Sequence, residues 1–145
     1  MPRMLNTCLC LILALSPIAA SAKEIYGSYK ADVLRVIDGD TIEIDVHIWP
    51  QLIQRTKLRL SEVNTPEKRG RNISECEKRA GQQATNFTQQ WLKGAGTVTV
   101  SEIQLGKYAG RVLGKLSKNG EDLGRALIKA GHAKPYKGGK RKPWC

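Results

Sequence analysis

Acidic and amide side chains stand at two turns of this chain, in the segments Asp38-Gly39-Asp40-Thr41 and Asn64-Thr65-Pro66-Glu67. Side chains at turns can converge without being buried inside a strand. Carboxylate and carbonyl oxygens are the ligands that a hard cation such as Ca²⁺ prefers. Asp-Gly is also a common hairpin turn and Thr-Pro-Glu a common helix start, so neither segment is decisive alone. Their combination in one short basic chain predicts a cation site.

The composition restricts the chemistry that such a site can perform. The 145 residues include 24 Lys and Arg against 13 Asp and Glu, a formal net charge of +11, which favours a polyanionic partner. Only two His and four Cys are present, which leaves little room for a histidine cluster or a four-ligand zinc site. His47 lies in a strand pattern and His132 follows a helix end, which argues against a two-histidine ribonuclease. Catalysis must therefore rely on carboxylates and on arginines, whose planar guanidinium groups match phosphodiester oxygens.

The first 22 residues have the pattern of a secretory signal peptide. Arg3 precedes an apolar run over residues 8–15, and small residues lead up to Ala22. A membrane anchor, the alternative, needs about 20 continuous apolar residues, and Ser16-Pro17 interrupts the run. We expect cleavage after Ala22, a single domain over residues 23–145, no membrane association after cleavage, and a secreted or periplasmic location.

Cleavage also removes two of the four cysteines. Cys76 and Cys145 remain in the mature chain, and export to an oxidising compartment predicts a disulfide between them. Closing a loop of about 70 residues would stabilise the fold by ~4 kcal/mol on the chain-entropy model. Two free thiols are the alternative.

Alternating apolar and polar residues predict five strands, which must position the acidic and amide side chains of the two turns. Two strands over residues 31–48 form a hairpin at the Asp-Gly turn, with Val33, Ile42, Ile44, Val46 and Ile48 on the buried face. Further strands are predicted at residues 57–60, 97–105 and 111–116. Five short strands cannot protect their edges in a small open sheet, so a closed antiparallel barrel is expected.

Two helices are predicted, one between the third and fourth strands and one after the fifth strand. The first begins at Ser74, which forms a capping box with Glu77. Apolar residues recur at helical spacing and predict its buried face, which consists of Cys76, Ala80, Ala84, Phe87 and Trp91. The second begins near Asp122, ends at Gly131 and is expected to bury Leu123, Ala126, Leu127 and Ala130. The basic tail, with Lys134, Lys137, Lys140, Arg141 and Lys142, either follows a phosphate backbone or is solvated.

Several of these segments, taken in order, resemble the thermonuclease, or staphylococcal-nuclease-like, family, and in particular its exported bacterial members. The resemblance spans about residues 31–136. The segments that carry it are Val36-Ile37-Asp38-Gly39-Asp40-Thr41, Leu58-Arg59-Leu60, Val63-Asn64-Thr65-Pro66-Glu67, Gly110-Arg111 and Gly131-His132-Ala133.

The resemblance implies an α+β, mainly β fold, a five-stranded OB-fold-like antiparallel barrel with two or three helices. It also implies a calcium-dependent endonuclease that hydrolyses phosphodiester bonds of DNA and RNA and leaves 3′-phosphate ends. By position, Asp40, Asn64 and the Thr65 carbonyl match metal ligands. We expect a monomer without a stable protein partner.

The remaining family positions carry the chemistry and the binding of the nucleic acid. Glu67 matches the general base, or the residue that orients the attacking water. Arg59 and Arg111 match the two arginines that hold the phosphate. Lys107, Tyr108 and Tyr136 match nucleic-acid-binding positions.

Two departures from the family pattern affect these expectations. Asn64 stands where the family usually has Asp, which removes one charge that attracts the cation. A weaker or differently selective site is therefore expected, and another divalent metal is possible. Tyr108 lies one residue further from Arg111 than in the usual Tyr-Gly-Arg. The alternative function is a non-catalytic nucleic-acid-binding module with a degraded metal site.

Overall fold

The computed structural model describes residues 25–145, so the expected signal peptide, residues 1–22, lies outside the described residues. Eight strands and two helices follow one another in this part of the chain. In order they are β1 (Tyr29–Asp38), β2 (Thr41–Trp49), β3 (Leu52–Leu60), β4 (Val63–Asn64), α1 (Glu75–Leu92), β5 (Thr97–Leu105), β6 (Arg111–Lys118), β7 (Glu121–Asp122), α2 (Leu123–Lys129) and β8 (Lys134–Pro135).

Five long strands close into a barrel in the order β3-β2-β1-β5-β6, with β6 paired back onto β3. Four of the five pairings are antiparallel, and the closing β3–β6 pairing is parallel. A ring with an odd number of strands cannot alternate in direction throughout, so one pair must run parallel. The expected five-stranded OB-fold-like barrel is confirmed, and this single parallel pair closes it.

The barrel interior is filled by aliphatic side chains from all five strands. Ile48 was expected on the buried face of β2, but it is 43% exposed. It lies at the end of β2 beside the turn to β3, where the barrel wall no longer covers it. The most deeply buried side chains of the strands are Ile42, Ile44, Leu58, Leu60, Val98, Val100 and Leu116.

Helix α1 begins where the sequence predicts, but its buried face only partly matches the expected one: Ala84 is fully buried and Phe87 and Trp91 pack against the core, as expected. The Ser74 hydroxyl accepts a hydrogen bond from the Glu77 N–H at 3.1 Å, which confirms the N-cap. Cys76 is exposed, and Ala80, Phe87 and Trp91 are only partly buried. The buried face consists of Gly81, Ala84, Thr85, Thr88 and Leu92. These residues are mostly small because the helix lies directly against the backbone at Gly39 and Glu67. The spacing of apolar residues does not reveal this need for small side chains.

Helix α2 is capped by Asp122, whose carboxylate accepts from the Arg125 N–H at 2.8 Å. Leu123 and Leu127 are fully buried as expected. Ala126 is only partly buried, and Ala130 is exposed at the end of the helix, so its expected burial was wrong. A two-turn helix presents too narrow a face to bury all four positions.

The C-terminal tail is attached to the body at both ends. At one end β8 pairs antiparallel with β4. At the other end Cys145 forms a disulfide with Cys76 of α1, with a Cα–Cα distance of 6.3 Å, which confirms the expected bridge. Between residues 25 and 145, no helix combines the length and the apolar character needed to cross a membrane.

Candidate active site

Asp40 occupies the centre of the site, immediately after the turn between β1 and β2. Its residue exposure is only 5%. One carboxylate oxygen, Oδ2, accepts from the Thr65 N–H at 2.8 Å and lies 3.0 Å from Nη2 of Arg59. The other, Oδ1, accepts from the Thr41 hydroxyl at 3.3 Å. Asp40 thus joins the first turn to the loop that follows β4.

The environment of Asp40 disfavours its negative charge. The pKa of this carboxyl is raised to about 6, mainly by burial; the nearby charge of Asp38 acts in the same direction, while Arg59 and the Thr65 hydrogen bonds act in the opposite direction. The protein groups therefore compensate the charge only in part. An additional positive charge beside Oδ1 would stabilise the ionised form.

Arg59, at the end of β3, is almost completely buried and has a fixed orientation. Its Nη1 donates to the carbonyls of Leu60 at 2.7 Å and Val63 at 2.9 Å. The Leu60 N–H in turn donates to the Asp40 carbonyl at 2.8 Å. These contacts hold the guanidinium at the junction of β3, β4 and the Asp40 turn.

Helix α1 supports the Asp40 turn from behind. The Thr88 hydroxyl donates to the Gly39 carbonyl at 2.7 Å. A Cβ at Gly39 would lie 2.8 Å from the Ala84 Cβ and 2.9 Å from Cγ2 of Thr65. The glycine between the two aspartates is therefore required by close packing as well as by the turn.

Asn64 and Thr65 are buried beside Asp40. The Oδ1 atom of Asn64 is buried and has no hydrogen-bond partner. Within residues 25–145 no cluster of three or more His, Cys, Asp or Glu side chains could hold a metal ion. A cation at this position would therefore depend on the Asp40 carboxylate together with neutral oxygens, which Ca²⁺ accepts. The orphaned Asn64 oxygen fits that requirement.

Glu67 is held at the rim of the same region. Its backbone lies against α1 at Gly81, where a Cβ would come within 2.6 Å of the Glu67 carbonyl carbon. The Glu67 N–H donates to Oε1 of Glu77 at 3.3 Å. Its half-exposed carboxylate forms an ion pair with Nη1 of Arg141 in the tail. That contact with Glu67 raises the pKa of Arg141, although partial burial acts against it.

Arg111 begins β6 and lies on the same side of the barrel as Arg59. Lys57 is the register partner of Arg111 in the parallel closing pair. Because paired residues of parallel strands share a face, and residues two apart do so as well, Arg59 and Arg111 point to the same side. The Arg111 guanidinium lies 4.9 Å from the centre of the Tyr108 ring, and its Nε is buried without a hydrogen-bond partner.

A cleft of about 600 Å³ connects these groups. The three arginines Arg59, Arg111 and Arg141 line it, and so do the expected binding residues. These are Lys107, Tyr108 and Tyr136, to which the structure adds Lys137. Asn64 lines an adjoining cavity together with Tyr136 and Arg141. One cationic cleft thus brings together the expected arginines and binding residues. Asp40 and Glu67 do not line it but contact Arg59 and Arg141, which do.

Arg141 is a site residue that the sequence presents only as one of several basic residues in the tail. The available signal is its place four residues before Cys145, where a disulfide would fix it. His47 of β2 pairs with Asp32 of β1, and the ring centres of His132 and Phe87 lie 5.1 Å apart. The two histidines therefore have separate structural contacts.

An OB-fold-like barrel with arginines along one cleft is an architecture found in oligonucleotide-binding proteins. The sequence matches the family described as staphylococcal nuclease homologue over residues 57–143. The chain belongs to this family. It is also 30% identical over 115 residues to "Endonuclease YhcR" of Bacillus subtilis (strain 168), which covers 76% of this chain and 9% of that protein. This chain therefore spans less than a tenth of the length of that relative.

Proposed function

We propose that this protein is an exported, calcium-dependent endonuclease that hydrolyses phosphodiester bonds in DNA and RNA and leaves 3′-phosphate ends. The family and the name of the relative, an endonuclease, support nuclease chemistry. The single observation that carries the proposal is the cleft in which Arg59 and Arg111 share one face while Asp40 and Glu67 contact arginines that line it.

Asp40, Asn64 and the Thr65 carbonyl would hold the cation. The orphaned Oδ1 of Asn64 and the incompletely compensated charge of Asp40 support this assignment. When bound, the cation would supply positive charge to a phosphate oxygen and polarise a water molecule. Only one carboxylate contributes, so we expect weak binding and tolerance of another divalent metal.

Arg59 and Arg111 would stabilise the charge that accumulates on the phosphate during attack. Donors fixed before the reaction act on the transition state without a cost of reorganisation. Arg59 meets this condition because Nη1 is bound to two backbone carbonyls and only Nη2 faces Asp40. Arg111 has a buried, unpartnered Nε, which is available to an acceptor.

Glu67 would accept a proton from the attacking water or orient that water. Its carboxylate is half-exposed, so water has access to it. Its backbone is fixed by Gly81 and Glu77 of α1. Fixed backbone and accessible carboxylate together suit a general base.

The surrounding residues would hold the nucleic-acid strand. Lys107 and Lys137 offer charges for phosphates, and the exposed ring of Tyr108 offers a stacking surface. Tyr136 also lines the cleft, and its hydroxyl donates to the Gly139 carbonyl at 2.8 Å. We expect the protein to act on the nucleic acid as a monomer.

Export would follow cleavage after Ala22, with release to the periplasm or the medium. The disulfide between Cys76 and Cys145 supports an oxidising destination. Mass spectrometry of the protein recovered from outside the cytoplasm tests this directly: a mature chain beginning at Lys23 is expected. An N-terminus at Met1 would contradict it.

The test of activity uses purified residues 23–145 with plasmid DNA and with single-stranded RNA, in Ca²⁺ and in chelator. Cleavage of both substrates in Ca²⁺ alone is expected. The product ends should resist polymerase extension until phosphatase removes a 3′-phosphate. Direct extension without phosphatase would overturn the assigned product.

The rival function, a non-catalytic binding module, is favoured by one feature, the replacement of a metal-ligand carboxylate by Asn64. Glu67→Gln separates the two functions. An enzyme loses cleavage in this variant and keeps a gel shift with DNA. Intact nucleic acid with wild-type protein in every divalent metal tested, accompanied by a gel shift, would establish the binding module instead.

A further inference from the structure

The last ten residues, Tyr136–Cys145, form a segment that we call the C-terminal strap. The Tyr136 N–H donates to the Glu62 carbonyl at 2.8 Å, directly after the β4–β8 pairing. Cys145 is bonded to Cys76 in the first turns of α1. The strap is therefore fixed at both ends, and four of its residues line the cleft, namely Tyr136, Lys137, Gly138 and Arg141.

Contacts within the strap hold its shape. The Lys134 ammonium, just before it, donates to the Pro143 carbonyl at 3.2 Å and lies 4.3 Å from the centre of the Trp144 ring. The Tyr136 hydroxyl donates to the Gly139 carbonyl. With the strap held in this shape, Arg141 lies beside Glu67 and forms an ion pair with it.

The ion pair between Arg141 and Glu67 has the properties of a positioning contact rather than a stabilising one. The side chains are 46% and 41% exposed, and ion pairs with this exposure contribute little to stability. The disulfide already attaches the strap, so the pair is not needed for that purpose. Its effect is to restrict the Glu67 side chain, because Nη1 of Arg141 binds the Oε1 oxygen.

We propose that Arg141 is a positioning residue for Glu67, and that the disulfide between Cys76 and Cys145 is required for catalysis because it holds Arg141 in place. The proposal rests on the proposed nuclease function. It deepens that function, since it makes cleavage dependent on oxidation of the chain. The same polypeptide in a reducing compartment would bind nucleic acid but cleave it slowly.

Steady-state cleavage of a defined oligonucleotide by Arg141→Gln and Arg141→Lys tests the first part. We expect kcat to fall about tenfold in Arg141→Gln, as for other losses of side-chain orientation. KM should change less than about twofold and thermal stability should stay close to wild type, since exposed ion pairs contribute little. Arg141→Lys, which keeps the charge, should recover part of kcat. The matched control is Arg79→Gln, the same change at an exposed position of α1, which should leave kcat and KM unchanged.

The disulfide is tested with the Cys76→Ser/Cys145→Ser variant and with wild type after reduction. Both should show the same fall in kcat as Arg141→Gln. Adding Arg141→Gln to the double serine variant should cause no further loss, because the two changes remove the same contact. Circular dichroism shows whether the double serine variant folds. If it does not fold, Arg141→Gln still tests the contact, because this variant keeps the disulfide.

The outcomes separate this proposal from the proposed function. No cleavage by wild type under any condition overturns the nuclease function. Cleavage by wild type with an unchanged kcat in Arg141→Gln overturns the positioning role alone. A higher kcat in Arg141→Gln would mean that the contact inhibits Glu67, and a loss confined to KM would assign Arg141 to substrate binding. Either result contradicts the proposal.

Discussion

Gly81 of α1 lies so close to Glu67 that a Cβ at this position would come within 2.6 Å of the Glu67 carbonyl carbon. On the same helix the Thr88 hydroxyl donates to the Gly39 carbonyl, and the Glu77 carboxylate accepts from the Glu67 N–H. Helix α1 thus supports both loops of the site through their backbones. Glu67, the proposed general base, can take this position only because Gly81 of α1 has no side chain.

Gly81→Ala should displace the Glu67 backbone. In a helix interior this change normally stabilises by about 1 kcal/mol, but the clash should reverse the sign and destabilise the fold by about 1–3 kcal/mol. We also expect kcat to fall roughly tenfold because Glu67 moves. Urea unfolding and oligonucleotide cleavage measure the two effects. Gln83→Ala, on the exposed side of α1, is the control, and a stabilised, fully active Gly81→Ala would show that the contact is not tight.

Arg59→Met should destabilise the protein by about 3 kcal/mol, since it leaves the buried carboxylate of Asp40 without its cationic partner. It also frees the carbonyls of Leu60 and Val63. Equilibrium unfolding should show that adding Asp40→Asn recovers part of this loss while nuclease activity stays absent. Arg55→Met, which breaks an exposed pair with Asp45, should change stability little. Equal effects of the two methionine variants would refute the buried role of Arg59.

Asn64→Asp should strengthen calcium binding, by roughly tenfold, because the number of ligand charges sets affinity at such sites. Without calcium the variant should melt at a lower temperature, since a second buried carboxylate lies near Asp40. Isothermal titration and calcium-dependent melting measure the two effects. Asn72→Asp places the same charge at an exposed position for comparison. Unchanged calcium dependence in Asn64→Asp would exclude Asn64 as a ligand.

Tyr108→Ala should weaken substrate binding and raise KM roughly tenfold, the expected loss of one stacked base. Tyr108→Phe keeps the ring that contacts Arg111 and should remain close to wild type. Fluorescence anisotropy with a single-stranded oligonucleotide measures the affinity. Trp49→Ala removes a similarly exposed aromatic ring at the β2–β3 turn and should have no effect. A matching loss in Tyr108→Phe would implicate the hydroxyl instead of stacking.

The strands and the ends of the helices could be predicted because they depend on neighbours in sequence. Alternation places Ile42, Ile44 and Leu58 inside the barrel, and all three are fully buried. Ser74 and Asp122 cap their helices through residues three positions away. The buried face of α1 was predicted less well, since Gly81, Thr85 and Thr88 are chosen for close approach to backbone rather than for hydrophobicity.

By itself the sequence determined the family, the turns that carry Asp40 and Glu67, and the cysteines available for a bridge, because each follows from local spacing or residue type. Only the tertiary structure decided that Arg59 is bound to Asp40, that Arg59 and Arg111 share a face, and that Arg141 reaches Glu67. The last contact joins residues 74 positions apart. It exists because barrel closure and the disulfide bring distant segments together, and no periodicity within either segment encodes that approach.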